Sequence, residues 1–170
     1  YTVIPQNPSA HIFLVQLRIP APNIHGQVLS LPTWIPGSYM IREFSKNIVQ
    51  MKAYSKDGAL AVIQQEKALW KVEAYQGAIT VEYEVYAWDM SVRMAHLDQN
   101  HGYFNGTSMF LQVHGQEEET QDVYIEAPTD ERCQGWRVST GLAKVSGGRH
   151  DFGHFSAESY DELIDCPVEM

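Results

Sequence analysis

The stretch Ile79-Thr80-Val81-Glu82-Tyr83-Glu84-Val85 puts four apolar side chains on one face and three polar ones on the other. Strict alternation over this length is the period of a half-buried β-strand, and its β-branched and aromatic residues suit a pleated surface. Phe13, Val15, Leu17 and Ile19 repeat the pattern, with Gln16 and Arg18 opposite. Weaker runs of the same kind cover 27–31, 48–54, 60–64, 69–73, 109–113, 123–126 and 136–139. Turn signals separate them. Asp57-Gly58, Gln76-Gly77, Asn105-Gly106 and Gly147-Gly148 offer the positive φ that tight hairpins need. Many short strands punctuated this way predict an all-β fold, an antiparallel β-sandwich, rather than alternating βα units. Helix is expected at two places only: 38–46, with Ser38 as N-cap, and 159–164, where Ser159 and Glu162 stand in capping-box spacing.

A chain of 170 residues is the length of one domain. With 44% hydrophobic residues it has the material to bury roughly 70% of its unfolded surface. Its 12 basic and 21 acidic side chains leave a net charge of −9, which argues against nucleic acid as a partner, because a phosphate backbone is held mainly by Lys and Arg. No run approaches the ~18 apolar residues of a membrane span, and no leader pattern opens the chain, so a soluble protein without a membrane partner is expected. Cys133 and Cys166 lack the C-x-x-C spacing of zinc or redox sites and are read as free thiols. Together with the missing leader pattern they favour the cytoplasm, with a periplasmic parent as the alternative.

Seven histidines invite a search for metal ligands. In H-D-F-G-H, His150 and His154 have zincin spacing, but Asp151 stands where the general-base Glu belongs, and Gly147, Gly148 and Gly153 disfavour the helix that the motif requires. His96, Asp98 and His101 are read as a polar loop. No metal site and no catalytic residue is therefore expected in this chain. A G-x-S-x-G elbow and a phosphate-binding G-x-x-x-x-G-K-[ST] loop are both missing, and Cys166 precedes Pro167 without the context of a thiol nucleophile.

Four segments add a resemblance. L-P-T-W-I-P-G-S-Y-M-I-R-E-F (Leu31 to Phe44), W-D-M-S-V-R (Trp88 to Arg93), H-G-Y-F-N-G-T-S (His101 to Ser108) and Y-D-E-L-I-D-C-P-V-E-M (Tyr160 to Met170) resemble, in this order, the landmarks of the N-terminal domain in the glycyl aminopeptidase family. These are zinc metallopeptidases that usually carry a PDZ domain. The resemblance covers essentially the whole chain. It implies a non-catalytic N-terminal β-sandwich domain at 1–158 and, at 159–170, the start of a connection to a catalytic domain with H-E-x-x-H. Zinc would belong to that parent and not to this chain; there it lowers the pKa of a bound water and polarises the scissile carbonyl. The implied partners are the catalytic domain and a peptide with a free N-terminus. The implied work is to wall the substrate cleft and dock on the metallopeptidase domain.

On this resemblance, Asn105, Gly106 and Thr107 are candidates for substrate binding, on a loop that a plain Asn-Gly hairpin turn explains equally. Glu169, in P-V-E-M, is the candidate for holding the substrate ammonium by charge-assisted hydrogen bonds. Arg42 and Glu43 after the Pro36-Gly37 turn, with Trp34 and Tyr39 packing beneath them, and Asp161, Glu162 and Asp165 are expected at the interdomain face or in structural roles. Trp34, Trp70, Tyr86, Trp88, Met90 and Trp136 are expected as core or interdomain packing, since aromatics bury large areas. The rival reading is an independent β-sandwich module in which exposed aromatics grip a carbohydrate or a protein.

Overall fold

Phe13, Val15, Leu17 and Ile19 stand opposite Val85, Tyr83, Val81 and Ile79 on two antiparallel strands, and all eight side chains are buried. The alternation in the sequence is thus the inner face of this pair. The structure is a computed structural model and describes residues 1–35, 37–38 and 40–170. The strands run β1 (Thr2–Asn7), β2 (Ile12–Ile19), β3 (Gln27–Ser30), β4 (Ile48–Ser55), β5 (Gly58–Leu60), β6 (Val62–Glu66), β7 (Leu69–Val72), β8 (Ile79–Tyr86), β9 (Ala95–Leu97), β10 (Gly102–Phe104), β11 (Gln112–Val113), β12 (Gln121–Ile125), β13 (Ser139–Thr140), β14 (Ala143–Lys144), β15 (Gly153–Ala157) and β16 (Val168–Glu169), with one helix, α1 (Tyr160–Asp165).

Three sheets share one core. The largest has the order β14-β15-β12-β1-β2-β8-β4-β5, and the smaller ones are β13-β16-β10-β9 and β11-β3-β7-β6. Pairing is antiparallel except where β1 meets β12, so the all-β expectation holds in a mixed-sheet form. Val3, Leu29, Trp70, Phe104 and Val168, drawn from all three sheets, belong to one hydrophobic cluster. Ser159 caps α1 by accepting from the Glu162 amide, as its spacing predicts. The segment after it is not a free tail: Tyr160, Leu163, Val168 and Met170 are buried, and β16 lies between β13 and β10.

Four expectations are corrected. The helix at 38–46 is absent among the described residues, where only a 3-10 turn at Phe44–Asn47 forms. The Arg42 amide bonds to Thr33 O at 2.6 Å, which ties the segment as a loop, and Ser38 Oγ accepts from the Arg42 guanidinium instead of capping. The run 60–64 is two strands that part at Ala61, with β5 on β4 and β6 on β7. In 136–139 only Ser139 is in a strand. In 109–113 only Gln112 and Val113 are: Met109, Phe110 and Leu111 are irregular and wholly buried, and their carbonyls accept from the hydroxyls of Tyr83, Tyr160 and Tyr1. A buried backbone must find partners, and here three tyrosines replace a sheet neighbour.

Candidate functional site

The four segments that carry the resemblance meet on one face. Trp34 and Ile35 from the first, Asn105 and Thr107 from the third, and Asp161, Glu162, Ile164 and Asp165 from the fourth line a groove of about 690 Å³. The second segment closes on the third, because Val92 O accepts from Tyr103 Oη at 2.8 Å and from Asn105 Nδ2 at 3.3 Å. Asn105-Gly106 is not a hairpin turn. Asn105 has extended φ and ψ and caps a 3-10 turn at Gly106–Ser108, its Oδ1 accepting from the Thr107 amide. The reason for the glycine lies in packing. A Cβ on Gly106 would stand 2.6 Å from Ile164 Cα and 2.9 Å from Leu163 O, so only glycine lets this turn lie against α1.

Arg42 and Glu43 do not pair with each other. Arg42 donates to Ser38 Oγ, and Glu43 pairs with Lys67 Nζ at 2.6 Å on the surface. The Lys67 ammonium holds the Glu43 carboxyl below its usual range. Tyr39 and Pro36 lie outside the described residues. Trp34 is 53% exposed and Trp88, Met90 and Tyr86 are also exposed, whereas Trp70 is buried. Trp136, of the same expected set, is partly buried against the core. The alternation of β8 ends at Tyr86, and Trp88 then joins His96 through a single bridge.

Glu169 sits apart from the groove, on a second depression of about 260 Å³ with Tyr103, Ser139 and Thr140. Its carboxylate faces His101 Nε2 at 3.2 Å. Burial, with the Glu169 charge beside it, pushes the Tyr103 hydroxyl up. His11, Trp88, His96 and His101 form a ladder of rings, with centroid separations of 3.8, 4.9 and 5.9 Å in that order. His96 Nε2 faces Asp98 at 3.4 Å while His101 Nε2 faces Glu169. The two histidines thus point at different carboxylates, and no group of three metal-ligating side chains converges among the described residues.

Among the described residues, Trp34, Met40, Ile41, Trp88, Met90 and Val92, six of twelve exposed large hydrophobics, fall in two loops, of which Trp34 lines the groove and the Val92 carbonyl bonds to Asn105. Sequence reasoning missed this apolar rim, because Met40, Ile41 and Val92 carry no chemical signal of their own and only their shared exposure marks them.

The fold is that of a β-sandwich domain, built from three sheets around one core. The chain belongs to the peptidase M61 N-terminal domain family, whose pattern matches residues 1–170. It is similar to the crystal structure of an aminopeptidase N family protein from Idiomarina loihiensis, with 43% identity and a TM-score of 0.94. That similarity covers 99% of this chain and 28% of the other, so the chain spans little more than a quarter of its structural relative. No curated protein matches it.

Proposed function

We propose that the chain serves as the non-catalytic N-terminal domain of a zinc aminopeptidase resembling glycyl aminopeptidase, docking on the metallopeptidase domain through the groove face and walling one side of the substrate cleft. The observation that carries this reading is that three sequence-distant landmarks line one groove and the fourth bonds to its edge through Val92, with half of the exposed large hydrophobics among the described residues in the loops of the first and second landmarks. Monomer surfaces seldom concentrate apolar residues so without a partner. Zinc belongs to the parent's other domain in this reading. Asn105 and Thr107 shape the cleft wall through the capped turn on which Gly106 rests against α1. Glu169, exposed beside His101, offers the carboxylate for the substrate ammonium.

The test is made in the intact parent with Ile41→Lys and Val92→Lys together. Undocking should split its thermal unfolding into two transitions and lower peptidase activity about tenfold or more, because misplacing a cleft wall by an ångström costs productive geometry. Tyr124→Lys, on the outer face of the large sheet, should change neither. Unchanged melting and activity in the double variant would refute the reading.

A further inference from the structure

We infer that the groove receives a cationic side chain, an arginine or a lysine, presented by the metallopeptidase domain; the inference rests on the docking reading and specifies its chemistry. The groove joins an apolar floor to a one-sided charge. Trp34, Ile35 and Ile164 supply the floor, suited to the methylene stem of a long basic side chain, and an exposed indole is a favoured neighbour for a guanidinium. Asp161, Glu162 and Asp165 supply the charge, and among the described residues no Lys or Arg lines the groove.

The three carboxylates are not equally engaged. Glu162 Oε2 accepts from the Glu158 amide at 2.6 Å, whereas among the described residues Asp161 and Asp165 make neither a side-chain hydrogen bond nor an ion pair. They are four residues apart on α1, the spacing that places side chains on one helix face. Their positions differ in electrostatic sense. Asp161 lies in the first turn, where the helix N-terminus favours an anion. Asp165 ends the helix, among carbonyls that already concentrate negative charge, and the last turn holds no basic residue. Among the described residues no ion pair offsets that charge within α1. The charge also reaches the neighbouring thiol: burial pushes Cys166 up, and the Glu162 and Asp165 charges push it further. A cation entering from outside relieves both. A second copy of the chain is a poor occupant, since each copy carries −9 and would set like charges face to face.

The experiment uses the intact parent and follows limited proteolysis at the junction beyond residue 170, a rate that tracks the undocked fraction when closing is fast. Asp161→Asn with Asp165→Asn should raise that rate about tenfold or more. It should also abolish the dependence of the rate on salt between about 50 and about 500 mM, because an ion pair lost to the variant can no longer be screened. Asp161→Lys with Asp165→Lys should raise the rate further. Both aspartates are exposed, so the Asn variant retains the fold. If it leaves rate and salt dependence unchanged while Ile41→Lys with Val92→Lys still undocks, the cation inference falls and the docking reading stands. If neither pair undocks, both fall. A raised KM for peptide with unchanged docking assigns the groove to the substrate ammonium, and slower proteolysis on adding calcium alone assigns it to a metal ion. Either result overturns the inference.

Discussion

Tyr160 shows how much one hydroxyl can hold. Its Oη donates to Phe110 O at 2.8 Å inside the core, and burial pushes the phenol far above its ordinary range, so it stays a neutral donor at any working pH. Tyr160→Phe keeps the ring and leaves the Phe110 carbonyl buried without this donor, which should cost about 1–3 kcal/mol in denaturant unfolding. Gly106 is held by space instead. Gly106→Ala must move the α1 backbone or the capped turn, at about 1–3 kcal/mol, and chemical denaturation of the variant measures it. On the surface, the Arg132 guanidinium and then its amide hold the Asp130 carboxyl at about 2, below its ordinary 3.8. A depressed carboxyl stabilises the fold in full above that ordinary value, and the contribution is lost as the pH falls through 3.8 towards about 2. Wild type should therefore exceed Asp130→Asn in stability at neutral pH, with the gap closing across that acid window in a pH series of melts.

At the scale of the element, alternation was legible wherever one face of a strand is buried and the other wet. β2 and β8 are such strands, and β4 joins them in register, Met51 opposite Tyr83 and Ala53 opposite Val81. β1 escaped notice because Pro5 interrupts it. β9 is buried at all three positions, and such short strands have no room for a period. β16 is only two residues long. The split at Ala61 was hidden because both strands continue one apolar rhythm, while the Ala61 amide turns aside to the Glu73 carboxylate. The candidate site was legible as residue types in four segments. Its assembly was not, since the contact of Gly106 with α1 is set by tertiary packing. The alternation itself makes a prediction: Phe13→Ala, on the inner face of β2, should cost about 3–5 kcal/mol. Gln16→Ala on the outer face, which removes one hydrogen bond to Glu82, should cost about 1 kcal/mol or less. Equal costs in equilibrium unfolding would contradict the assignment of faces.

For the whole molecule, the two parts of the large sheet join only where β1 meets β12, with Thr2 opposite Tyr124, a pairing that spans most of the chain. The smaller sheet is completed by β16 at the far end. The residues that build the groove therefore come together late in chain order, and the face they form is apolar at its rim and acidic at its edge. By itself the chain must keep this face in water, helped by its charge of −9. An apolar reporter dye should consequently bind the isolated folded chain. Ile41→Lys with Val92→Lys should remove most of that binding without lowering the melting midpoint, because both side chains are exposed and contribute little burial. Val49→Lys with Ile63→Lys, equally exposed but away from the two loops, should leave dye binding near the wild-type level. Equal losses from the two pairs would mean that exposed apolar surface is spread evenly over the domain, and the groove face would lose its claim to be the side that meets a partner.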